Sequence, residues 1–160
     1  MKLLLLLLVP FLIYVPKSSY EGVVNVDGVS KTDLYQRARR LLIDNFKNTK
    51  GGIQSDDKES GIIIAKGFTQ VHPNALENHV NYIIEIDVKD GKYRYQIDHI
   101  EFEEFYNGGS MGVNTVEDLS SRYEKKKNRQ VKKQLDCIED SMNDLIKTVK
   151  EGMNKPQASW

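Results

Sequence analysis

Tyr82-Ile83-Ile84-Glu85-Ile86-Asp87-Val88-Lys89-Asp90-Gly91-Lys92-Tyr93-Arg94-Tyr95-Gln96-Ile97 decides the fold of this 160-residue chain. From Ile84 onward apolar and polar residues alternate on both sides of Asp90-Gly91, a favoured pair for a two-residue type I′ hairpin turn. A turn there sets Lys89 opposite Lys92, Val88 opposite Tyr93, Asp87 opposite Arg94, Ile86 opposite Tyr95, Glu85 opposite Gln96 and Ile84 opposite Ile97. One face then carries Tyr82, Ile84, Ile86, Val88, Tyr93, Tyr95 and Ile97. The other carries Glu85, Asp87, Lys89, Lys92, Arg94 and Gln96, with an opposite-charge pair at Asp87 and Arg94. A one-residue slip would invert both faces, so the register is strongly specified. One face of the sheet is expected to meet helices and the other to meet water.

The alternation fails after Asp98, where His99 and Glu101 take the inward slots and Ile100 and Phe102 the outward ones. A β-bulge near Asp98 to Ile100 restores it. Upstream, Ile62 to Val71 reads as a strand whose Gly67 signals a bulge or a close approach. A loop is expected from His72 to about Asn78, and a flexible one over residues 106–114.

Glu21 to Gly28 is β-prone. Ser30 caps the helix that follows, with Asp33 three residues on and Val29 and Leu34 in the positions of a hydrophobic staple. Leu34, Tyr35, Ala38, Leu41, Leu42 and Phe46 share one face of that helix until Gly51-Gly52 stops it. A terminal helix is expected from Val116 to about 150, capped by Asn114 or Thr115. Its apolar stripe lapses across the basic run and resumes as Val131, Leu135, Ile138, Met142, Leu145 and Val149. Unbroken it would be roughly 50 Å long, so it must overhang the sheet or bend near that run.

Before all this stand Met1-Lys2 and the uncharged run Leu3 to Val15. A cation followed by a short apolar run has the form of a secretory signal. The run falls short of the roughly 20 residues of a bilayer span. Residues 1–19 are expected to be a signal cleaved near Ser18 or Ser19, giving a periplasmic or secreted protein. An uncleaved N-terminal segment, anchoring the chain at the inner membrane, is the alternative and would supply membrane contact. Residues 20–150 then form one domain and 151–160 a tail. With Lys2 and Lys17 removed, the 23 basic residues fall to 21 against 23 acidic ones, net −2, which argues against a general polyanion binder. The single cysteine, Cys137, allows neither an internal disulfide nor a lipid anchor beside the apolar run.

Glu21-Gly22-Val23-Val24, Val29 to Tyr35, Asp56 to Gly61 and Val88 to Tyr95 together resemble a family of short exported proteins of Gram-negative anaerobes, a domain of unknown function with a TATA-binding-protein-like (TBP-like) fold. The resemblance implies an α+β fold of order β-α-β-β-β-β-α. In it a curved antiparallel sheet is covered on one face by an N-terminal helix and a long C-terminal helix. It carries no activity and no functional residues. Nucleic acid is not the expected partner, because the solvent face mixes acids with bases and the chain reads as exported.

The expected function is a non-catalytic binding or interaction module of the bacterial cell envelope. It is expected to use no cofactor, to act as monomer or weak dimer, and to meet an unidentified protein or envelope component. A first alternative is a carrier of a small apolar ligand, in a pocket between sheet and long helix lined by Tyr82, Tyr93, Tyr95, Leu135 and Met142. A second is a metal-dependent enzyme using His79, His99 and Glu101, though their spacing is no known metal signature. The run from Arg122 to Lys133 carries seven cations and one acid. It reads as a solvated helix face, with acidic lipid headgroups or anionic polysaccharide as the functional alternative.

Overall fold

The computed structural model describes residues 17–46, 52–74 and 76–155. The apolar leader up to residue 16, Gly51 and the residues after Lys155 lie outside that range. The elements are β1 (Tyr20–Asn25), α1 (Lys31–Phe46), β2 (Ile53–Asp57), β3 (Ile62–Asn74), β4 (Leu76–Lys89), β5 (Lys92–Tyr106), β6 (Gly109–Thr115), α2 (Val116–Lys126) and α3 (Arg129–Asn154). They build a curved, wholly antiparallel sheet of order β1-β5-β4-β3-β2, with β6 also on β5. Because β4 pairs with β5 along nearly its whole length, β1 (opposite Lys92–Ile97) and β6 (opposite Glu101–Tyr106) share the other edge of β5.

The central hairpin adopts the expected register at all six pairs from Lys89 and Lys92 to Ile84 and Ile97. The turn itself differs. Gly91 has φ +71°, but Asp90 is outside the left-handed region, so the turn is not type I′. Contacts from outside the hairpin hold it instead. Val26 N–H donates to Gly91 O (2.8 Å), Gly91 N–H donates to Val29 O (2.9 Å), and the Asp90 carboxylate accepts the Lys31 N–H (2.7 Å). Asp90 thus satisfies an orphan donor of the first turn of α1, and Ser30 Oγ accepts from Asp33 N–H at 3.1 Å.

The bulge lies where the broken alternation places it. Asn81 faces Glu101 and Ile83 faces Asp98, so β5 spends one extra residue there. His99 takes φ +50°, and Ile100 and Phe102 are buried. The bulge also fills the interval between the ends of β1 and β6 on the shared edge. Gly67 serves a close approach: a Cβ there would lie 1.9 Å from the Phe46 ring.

Two expected loops are strands. β3 runs on through His72-Pro73-Asn74, beyond the reach of β2, so the missing Pro73 N–H falls where ladder pairing is already irregular. Residues 109–115 form β6, a sixth strand, because Asn107 and Gly108 both take positive φ (49° and 77°) and close a two-residue hairpin between Tyr106 and Gly109. The terminal helix is two helices, broken inside the basic run. Lys127 is left-handed (φ 47°), and Asn128 caps α3 through Gln130 N–H and Val131 N–H. Asn128→Ala should lower stability by about 1 kcal/mol in urea titration. α3 also passes the expected boundary at residue 150, because Met153 is fully buried and its carbonyl accepts from Arg37 Nη1 (2.9 Å).

Candidate functional site

The helices occupy one side of the sheet. Leu34, Ala38, Leu42, Ile138, Met142 and Val149 pack with Ile63, Ile84, Ile86, Val88 and Ile97 into one continuous core. Tyr82, Tyr93, Tyr95, Leu135 and Met142, the expected pocket lining, are all buried members of it, none more than 6% exposed. Burial pushes the Tyr93 hydroxyl up to about 12, with the neighbouring Tyr95 adding to the shift, so it remains protonated at physiological pH.

The opposite face is open and has two chemically distinct ends. Near the Asp90-Gly91 turn it is ionic. Arg94 bridges Glu85 (3.3 Å) and Asp87 (3.5 Å), while Lys89 faces Lys92 across the hairpin. Asp87, Lys89, Lys92 and Arg94, with Tyr93 and the exposed Val23, line a shallow recess of about 400 Å³.

The far end is aromatic. Phe68 of β3 stacks on His79 of β4 (ring centroids 4.1 Å apart, 18° between planes), and His79 meets Phe105 of β5 at 4.5 Å. This row crosses three adjacent strands. At the same end of the strands Leu76, Tyr106, Met111 and Val113 are exposed, with Met111 69% accessible. Asn78 is buried and braces this end, donating to Asn74 Oδ1 and Leu76 O and accepting from Phe105 N–H. The Asn81 amide donates to Glu103 (2.9 Å), which holds that carboxyl below its ordinary range. The row went unread in the sequence. Its signal was parity: Phe68 shares the outward parity of Lys66, and the bulge turns Phe105 outward.

The weak metal candidates do not converge. His79 is held by its aromatic neighbours and by Glu77 (3.1 Å). His99 sits in the bulge with its ring nitrogen 2.7 Å from Asp98, and Glu101 lies opposite Asn81. The Asp98 carboxylate raises the His99 pKa. Among the described residues no three His, Cys, Asp or Glu side chains are grouped to hold a metal ion.

Tyr35, Asp56 and Arg39 form a polar cluster beside α1. The Tyr35 hydroxyl and Arg39 Nε both donate to Asp56. These bonds, Tyr35 first, hold the Asp56 carboxyl below its ordinary 3.8. The folded state therefore gains stability at neutral pH that fades as pH falls below about 4. In acid titrations followed by circular dichroism, Asp56→Asn should unfold with a shallower acid limb than the parent. An unchanged limb would show that the bonds do not persist in solution.

The sequence matches the family model described as a domain of unknown function (DUF4468) with TBP-like fold over residues 20–103. The structure is similar to that of a TBP-like protein from Parabacteroides distasonis ATCC 8503 (TM-score 0.73, 12% identity, 87% of this chain and 94% of that one). It is also similar to a DUF4468 family protein from Bacteroides ovatus ATCC 8483 (TM-score 0.68, 18% identity, 89% of each chain). At these identities the likeness concerns the fold alone. No curated protein matches the chain. A family match over more than half its length, on the same strands and helix that form the sheet and its first cover, makes this chain a member of the DUF4468 family with TBP-like fold.

Proposed function

We propose that this chain is an exported, non-catalytic binding module of the cell envelope, and that it meets its partner with the open face of the sheet. The observation that supports this reading is the contiguous aromatic row Phe68–His79–Phe105 on the face that the helices leave open. Soluble proteins rarely leave such side chains contiguous without an interaction to use them. The helices seal the other face, which favours a surface over an interior carrier site. Export rests on the charged-then-apolar start of the sequence.

The test is native mass spectrometry of the protein purified from its own envelope fraction, beside Phe68→Ser/Phe105→Ser. The parent should carry a partner or bound ligand that the variant loses while keeping its melting temperature within a few degrees. A bare monomer from the parent, or full retention by the variant, would remove the sheet face as the binding surface.

A further inference from the structure

We propose that the elbow between α2 and α3 docks on anionic lipid headgroups, as a second membrane attachment beside the N-terminal apolar run. This rests on the envelope reading above, but uses a different surface from the sheet face.

Seven cations stand between Arg122 and Lys133, and all are exposed. Among the described residues two of them have a carboxylate within ion-pair distance: Lys127 with Glu124 (3.4 Å) and Lys132 with Asp136 (2.8 Å). Arg122 donates to the neutral Asn114 amide oxygen, which leaves its charge uncompensated. Lys125 and Lys126 end α2, Arg129 and Lys133 lie four residues apart at the start of α3, and all four are exposed while Leu119, Val131 and Leu135 are buried. α3 also opens with no acid in its first turn. Its positive dipole end therefore adds to the cations at the position where most helices place a neutralising carboxylate.

The uncharged run Leu3 to Val15 favours a membrane over a soluble polyanion as the anionic partner. Tyr20 pairs with Ile97 and Thr115 pairs with Glu101 on the same edge of β5. The chain therefore leaves for its N-terminal run, and enters α2, at points separated by four residues of strand, roughly 13 Å. α2 adds roughly 16 Å before the elbow. In the uncleaved form the apolar segment and the basic patch supply the two signals that stable membrane attachment needs, since either alone binds weakly. The acids Glu139, Asp140 and Asp144 follow along α3. The attraction is thus confined to the elbow, which would fix one orientation at the surface.

The test is cosedimentation of the chain from Ser18 onward, which contains every element from β1 to α3, with phosphatidylcholine vesicles with and without phosphatidylglycerol. Binding should require the anionic lipid and weaken with added salt. Lys125→Glu/Lys126→Glu/Arg129→Glu should lose affinity on the order of 100-fold. Lys89→Glu/Lys92→Glu, at the ionic end of the sheet, should bind like the parent, and circular dichroism would verify that both are folded. Equal binding to neutral vesicles, no loss in the elbow variant, or heparin competing as well as the anionic vesicles do would overturn the proposal. Partner loss from Phe68→Ser/Phe105→Ser is read separately, so the two surfaces stand or fall independently.

Discussion

Phe102→Ala should destabilise the domain by roughly 3 to 5 kcal/mol, the range for truncating a fully buried aromatic side chain. Phe105→Ala, three residues on in the same strand, should lose no more than about 1 kcal/mol. Phe102 is 0% exposed and belongs to the core shared with α2 and α3, whereas Phe105 stands on the open face against His79. The contrast exists because the bulge resets parity between Asp98 and Ile100. Without it, Phe102 would share the outward face of Arg94 and Gln96. Urea denaturation of the two variants measures the difference directly. Equal losses would mean that the far half of β5 does not hold the described register.

The elements legible in the sequence were those written twice. The central hairpin has alternation and a two-residue turn pair that agree, and its pairing register emerged residue for residue. The type of turn did not, because Asp90 is recruited by Lys31 N–H and by the β1–α1 connection, neighbours that local sequence does not announce. β6 fell on the other side of that line. Asn107-Gly108 is a stronger type I′ signal than Asp90-Gly91, yet Gly109-Ser110-Met111-Gly112 lacks the alternating apolar residues that would identify a strand. Backbone pairing with Glu101–Tyr106 supplies what the side chains do not. The helix break shows the same division. The length of the terminal helix left overhang or a bend near the basic run as alternatives, and the left-handed Lys127 followed by the Asn128 cap makes it a break.

The candidate surfaces were less legible than the fold, for a physical reason. Burial imposes a periodic pattern on sequence, and an exposed binding face imposes none. The Tyr82, Tyr93, Tyr95, Leu135 and Met142 set stood out because it is apolar at regular spacing, which is the signature of core, and in the core it lies. Phe68 and Phe105 are 37 positions apart in sequence and meet only through His79 on the strand between them. Such a row appears when strand order is known and not before.

The bulge makes a sharper prediction than any truncation, because two single-residue deletions a few positions apart in β5 should have opposite consequences. Deleting His99 removes the extra residue itself. Ile97, Ile100 and Phe102 then fall into simple alternation and keep their inward face, and the left-handed conformation that His99 now adopts (φ +50°) is no longer required. Stability should stay within about 2 kcal/mol of the parent. Deleting Gln96 also removes the one extra residue of β5 between Tyr95 and Glu101, but it shifts Ile97 and Asp98 by one. Ile97 turns to solvent and Asp98 turns into the core, where an unpaired carboxylate meets the apolar side chains of the helices. β5 is paired on both edges, with β4 on one side and β1 on the other, so the strand cannot slide as a whole to recover. The loss of the Ile97 side chain from the core, about 2 to 5 kcal/mol, added to several for a buried carboxyl, is of the same size as the roughly 5 to 15 kcal/mol that holds a domain of this size together. The Gln96 deletion should therefore be unfolded by near-ultraviolet circular dichroism and amide exchange at conditions where the His99 deletion is native. If both deletions fold, β5 tolerates Asp98 on its inward face, and the alternation around His99 is not what sets the register.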